Sequence, residues 1–144
     1  MTSWLSLVIL FSIILIYLTI KITEIIFNTS PLDTGESSAR CLILVTSDAE
    51  RTMATFLGSS SKLKVEDINE DEIEAAKIIY LEGYLFDPPE AQEAFITAAE
   101  FAKKHNTKVS FTLSDAFCVE RHKSKMRAFV QNNVDILFCN EGEV

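Results

Sequence analysis

Glycine is scarce, with four in 144 residues. They compose neither a G-x-G-x-x-G fingerprint nor a Walker A run, so no dinucleotide motif and no P-loop is encoded. The cysteines, Cys41, Cys118 and Cys139, are too few and too odd in number for a disulfide scaffold, and their spacing is not that of a zinc site. Basic residues are outnumbered, 13 against 21 acidic, leaving a net charge of -8. A nucleic-acid binder needs a cationic face to release counterions from phosphates, so no nucleic-acid partner is expected. No nucleophile stands beside an assignable base. Charge of either sign is missing from residues 1–20, and only Lys21 and Glu24 appear by residue 27.

That uncharged start divides the chain in two. About twenty residues of helix span roughly 30 Å, the thickness of a bilayer core. Trp4 and Tyr17 stand near the two ends of the run, where aromatic rings favour the interface. There is no basic residue before the run and no small-x-small site after it, which disfavours a cleaved signal peptide. Residues 1–27 are expected to be a hydrophobic leader and candidate transmembrane helix. Lys21 and Arg40 follow it, which places the C-terminal part in the cytoplasm as a single-pass protein; a fully cytoplasmic chain is the alternative. Three unpaired cysteines agree with a reducing compartment. The same Ile-, Leu- and Phe-rich run also fits an aggregation-prone stretch with no selected role.

Residues 28–38, with Pro31 and Gly35, read as a linker. Residues 28–144, which follow the leader, have a composition close to that of an ordinary soluble domain. Cys41–Thr46 and Thr52–Phe56 read as a hairpin, although Ser47–Glu50 lacks an Asn-Gly turn. Asn69–Glu72 is a capping-box pattern and predicts a short helix through Ala76, with Ile73 facing the core. Ile78–Glu82, Val109–Leu113 and Asp135–Cys139 read as strands. Asp87-Pro-Pro-Glu90 starts a helix, with Asp87 as cap and Pro88 at its first position. Ala91, Phe95, Ala98 and Ala102 form its buried stripe, and Asn106 is its left-handed stop. A second helix from about Val119 to Gln131 buries Val119, Met126, Phe129 and Val130. Strand and helix alternating with short joins predict a parallel β-α-β-α-β sheet. Three parallel strands, two helices and a hairpin make a thin core, so the expected fold is part of a larger α/β domain.

Open α/β sheets bind ligands beyond the carboxyl ends of their strands. Three such ends are visible: Gly83-Tyr84, Ser114-Asp115 and Asn140-Glu-Gly-Glu143. Asn140 and Glu143 could bring an amide and a carboxylate toward a magnesium-bound phosphate; the same N-x-x-E spacing is also a capping box. Asp115 reads as a general base or as a helix cap. The basic run Arg121-His122-Lys123, with Lys125 and Arg127, reads as an anion-attracting patch or as a solvated helix face. His105 suits a helix C-terminus through the dipole.

Residues 34–143 resemble the PfkB carbohydrate kinase family in its adenosine-kinase-like bacterial branch. Thr34-Gly35, Ala39–Thr46, Asp48–Met53, Tyr80–Leu85, Asp87–Glu90, Leu113–Asp115, Phe117–His122 and Val134–Phe138 carry the resemblance in order. It implies a partial ribokinase-like parallel sheet with a β-hairpin lid, spanning 39–144. It also implies transfer of the ATP γ-phosphate to a hydroxyl of a sugar or nucleoside substrate with Mg2+. Cys41–Phe56 would supply lid strands, with Arg40, Cys41 and Thr52 as lid residues beside the substrate. Asn140 and Glu143 match the family's N-x-x-E motif and so would support metal and phosphate. The family's N-terminal strands with their Gly-Gly motif, and its C-terminal half with G-A-G-D and the catalytic aspartate, have no counterpart here. The resemblance therefore assigns no catalytic and no cofactor-binding residue. ATP and Mg2+ are implied by family alone, with no tight binding expected. It implies a kinase fragment inactive by itself, whose partners would include a complementing C-terminal piece and, through the leader, a membrane. A membrane-anchored interaction or regulatory protein built on a kinase fragment is the alternative.

Overall fold

The computed structural model describes Ile26 and residues 28–144. The candidate membrane helix therefore falls outside the described residues, Ile26 apart. Among the described residues no helix is long and apolar enough to cross a membrane. The chain divides into residues 1–31 and 32–144; in the first, the described residues are exposed and have no regular secondary structure.

Within residues 32–144, strands β1 (Arg40–Val45) and β2 (Arg51–Phe56) pair antiparallel, with Arg40 opposite Phe56 and Val45 opposite Arg51. β-Branched and aliphatic residues favour the extended chain. The missing Asn-Gly turn is replaced by side-chain chemistry. The Thr46 hydroxyl donates to the Asp48 carboxylate, which also accepts the Glu50 N–H at 3.4 Å, and Ala49 takes φ 68°. Gly58 comes after the hairpin at φ +50°, where a Cβ would lie 2.1 Å from the Ser37 carbonyl oxygen, so only glycine fits.

Helix α1 (Glu70–Ala75) is capped as its sequence predicts: Asn69 Oδ1 accepts the N–H groups of Asp71 (3.0 Å) and Glu72 (3.3 Å). The chain then runs β3 (Ile78–Glu82), α2 (Pro89–His105), β4 (Lys108–Thr112), α3 (Ala116–Asn133) and β5 (Ile136–Phe138). The three strands form one parallel sheet in the order β3-β4-β5. Ala91, Phe95, Ala98 and Ala102 are buried along α2, and Asn106 ends it at φ 58°.

Two expected helix starts move. Helix α2 begins at Pro89 with Pro88 as its extended N-cap, not at Pro88 with Asp87 capping. A residue before proline is pushed out of the helical region, so Pro88 cannot open the helix while Pro89 comes next. Helix α3 begins at Ala116, three residues ahead of expectation, because the Asp115 carboxylate accepts the N–H groups of Phe117 (2.8 Å) and Cys118 (3.2 Å). β4 starts one residue early, and β5 is confined to 136–138.

Both helices cover the same side of the sheet. Phe86, Phe95, Phe111 and Phe129 meet there so that every ring touches the other three, at centroid separations from 5.4 to 5.9 Å. Leu113, Cys118 and Met126 complete this cluster, and Ile73, Ala98, Ala102 and Val109 form a second. On the other side Ile78, Tyr80, Ile136 and Phe138 are exposed, while Ser110 between them is buried. The hairpin is a separate two-stranded sheet with every strand residue exposed.

Candidate functional site at the carboxyl edge of the sheet

Parallel pairing brings the ends of β3, β4 and β5 to one edge. The Leu113 N–H donates to the Phe138 carbonyl at 3.0 Å, extending the β4–β5 ladder to that edge. Gly83 lets β3 close on β4, since a Cβ there would lie 2.7 Å from the carbonyl oxygens of Thr112 and Leu113. Beside it, the Ser114 hydroxyl donates to Glu82, whose other carboxylate oxygen accepts the Tyr80 phenol at 3.1 Å. Ser114 takes φ 71°, a conformation that L-residues adopt at a cost. Burial pushes the Tyr84 phenol above its ordinary value, and the fields of Asp115 and Glu82, with a smaller one from Glu143, push the same way.

Asn140 and Glu143 form a closed reciprocal unit just past β5. The Glu143 carboxylate accepts the Asn140 amide N–H (2.7 Å) and backbone N–H (3.2 Å), while Asn140 Oδ1 accepts the Gly142 N–H at 2.8 Å. The Glu143 N–H donates back to the Asn140 carbonyl at 3.2 Å. The capping-box and phosphate readings of N-x-x-E therefore use the same atoms. Glu143 is buried, 8% exposed, and each of its carboxylate oxygens accepts one hydrogen bond.

This donor set fits Mg2+ in one limited way. It offers oxygens, which that hard ion takes, and a carboxylate has about four lone-pair sites, of which two are used here. The pair suits contact through the ion's hydration shell and not a closed cage. Among the described residues no group of three His, Cys, Asp or Glu gathers to hold a metal.

The other candidates are sorted by register. On the hairpin, Arg40 and Thr52 share a face with Leu42, Leu44, Ala54 and Phe56, whereas Cys41 faces the opposite way with Ile43 and Met53. Arg40 lies over the Phe56 ring (5.7 Å to the centroid) and donates to Ser37 Oγ at 2.8 Å; Cys41 Sγ lies 3.2 Å from Thr55 Oγ1. The three lid candidates thus divide between the two faces of this hairpin. Asp115 is a cap. Arg121 and His122 bind Asp87, and His105 binds Glu70 at 2.8 Å. Glu82 went unmarked in the sequence because strand register, not spacing along the chain, brings it to Ser114.

These ion pairs make an acid prediction. The Arg121 guanidinium holds Asp87 below the usual carboxylate range, Lys108 does so for Asp135, and Lys104 for Glu70. A carboxylate depressed in the folded state contributes stability above its unfolded value of about 4, lost as pH falls through the lower folded value. Chemical-denaturation midpoints should therefore fall between about pH 5 and 3, less in 1 M salt than at low salt, since exposed pairs of this kind are weak and screened. Asp87→Asn should flatten this dependence, and an unchanged slope would refute the assignment.

An open parallel sheet with polar groups gathered at its carboxyl edge and a separate β-hairpin defines the α/β class that binds ligands beyond its strand ends. A family model for the pfkB family carbohydrate kinases matches residues 20–144, and the chain belongs to that family. It is similar to the adenosine kinase from Sinorhizobium meliloti, with 42% identity and a TM-score of 0.79, covering 87% of this chain and 38% of that one. The guanosine-inosine kinase of Escherichia coli (strain K12) is 36% identical over 107 residues, 72% of this chain and 25% of that protein. A putative Ribokinase II from E. coli, solved in complex with ATP and Mg+2, shares the fold at 20% identity and a TM-score of 0.59, covering 72% of this chain and 35% of that one. The chain spans a quarter to under two-fifths of the length of the first two.

Proposed function

We propose that residues 39–144 are the central part of an ATP-dependent kinase acting on a hydroxyl of a purine nucleoside, with a sugar as the second acceptor class. The observation that carries this reading is the Asn140–Glu143 unit at the carboxyl edge of a sheet that belongs to the pfkB family. The named substrates of the similar adenosine and guanosine-inosine kinases favour a nucleoside. In this reading Asn140 and Glu143 steady Mg2+ through its waters, and the hairpin face bearing Arg40 and Thr52 borders the acceptor. ATP brings the transferable phosphoryl group. Transfer depends on positioning and charge stabilisation acting together, so this part does not turn over without the nucleotide grip and base that its relatives' remaining length would supply.

The test is a phosphoryl-transfer assay on the purified chain with Mg-ATP and adenosine, guanosine, inosine or ribose. Background rates are expected from the chain alone. Addition of a separately produced C-terminal half of a pfkB-family kinase should raise the rate. Glu143→Gln should then cut the complemented rate about 10- to 100-fold, the usual effect of losing a partner of a metal's ligands. Turnover by the chain alone, or a complemented rate indifferent to Glu143, would refute the respective claim.

A further inference from the structure

The run Phe117–Lys125 contains a stripe that neither an anion-binding patch nor a solvated face explains. Cys118, Arg121, His122 and Lys125 recur at i, i+3, i+4 and i+7, one side of α3. They engage the turn Gly83–Asp87, which carries the chain from the end of β3 into α2, three of them directly and Lys125 through Gln92. Buried Cys118 lies under it, Sγ 3.4 Å from the Gly83 carbonyl. Arg121 forks onto both Asp87 oxygens, Nε at 3.1 Å and Nη2 at 2.8 Å, and His122 Nε2 donates to the same carboxylate at 2.8 Å. Lys125 holds Gln92 Oε1 at 2.9 Å, and the Gln92 amide donates to the Phe86 carbonyl. Within α3, His122 departs from helical geometry at φ -120° and ψ 16°.

We propose that this stripe is a clasp whose role is to position Tyr84. The turn is pinned from below by α3 and from the side by Gly83 against β4, so Tyr84, exposed in the turn directly after Gly83, is held at the carboxyl end of β3. Arg121, His122 and Lys125 are thereby positioning residues, acting on the carboxyl edge through the turn that carries Tyr84. The inference rests on reading that edge as the ligand-facing one, but its test reads local geometry and needs no turnover. A failed clasp would leave the kinase reading intact, and the reverse also holds.

Cys118 is the built-in reporter, because its burial keeps the thiol inert until the turn lifts. Exposed Cys41 and Cys139 serve as internal references. In the full chain, iodoacetamide labelling resolved by mass spectrometry should find Cys118 slow. Asp87→Asn should speed it about tenfold and Arg121→Lys by less, since the fork is lost but the charge is kept. Tyr84 ring resonances should shift while those of Thr107, at the opposite edge, stay in place. Glu70→Gln, which removes a comparable ion pair at that opposite edge, should leave Cys118 slow. Unchanged Cys118 labelling in both clasp variants would overturn the proposal. So would labelling that rises equally in Glu70→Gln, since that pattern reports general loosening. Should Asp87→Asn not fold, Arg121→Lys carries the same two outcomes.

Discussion

Phe111→Ala should cost residues 32–144 about 3–5 kcal/mol, the usual penalty for emptying a buried phenylalanine site. The Phe111 ring is fully buried and touches Phe86, Phe95 and Phe129, each of which also touches the other two. Removing it opens a void bounded by one strand, both long helices and the turn after β3, and no neighbour can collapse into it without leaving the other rings. Whole domains are worth only about 5–15 kcal/mol, and this one buries a single side of its sheet. The variant is therefore expected to lose its cooperative transition in chemical denaturation followed by far-ultraviolet circular dichroism. Phe117→Ala, at a ring 71% exposed, should move the midpoint little, within about 0.5 kcal/mol. Equal behaviour of the two variants would show that the four-ring cluster is not the core.

Gly83→Ala should be the next most damaging, for a different reason. The added Cβ meets two backbone carbonyl oxygens at 2.7 Å, and backbone cannot swing aside as a side chain can. Strands β3 and β4 must part at their carboxyl ends, and overpacking of this kind costs about 1–3 kcal/mol or more. The damage would be local in its signature: the Ser114–Glu82 hydrogen bond and the Cys118–Gly83 contact both lie at the gap. Backbone NMR shifts should concentrate at residues 82–84 and 112–115, with Val109 and Thr107 little changed. A wild-type midpoint with unmoved Ser114 resonances would contradict this.

Much of the fold was legible along the chain because the signals are local. Asn69 caps α1, Asn106 ends α2, and the alanine stripe of α2 needs only the helical period. The failures come where two local rules compete or where distance along the chain hides a neighbour. Asp87 satisfied the rule for a cap, but two successive prolines shifted the helix start and freed its carboxylate for Arg121, 34 residues away. Asn140–Glu143 was visible as a motif, and its reciprocal bonds come from short-range spacing. Glu82–Ser114 was not, since only the parallel register of β3 and β4 sets those two side by side. For the lid residues, alternation along a strand sets Cys41 on the opposite face of the hairpin from Arg40 and Thr52, although all three stand on paired strands.

Because both crossover helices lie over one side of the sheet, Ile78, Tyr80, Ile136 and Phe138 face outward on the other. Apolar planes of this kind, left unshielded, are what chaperones and proteases recognise. Whatever shields that plane would therefore add to the lifetime of this polypeptide, and a stronger aromatic core on the opposite side could not substitute for it.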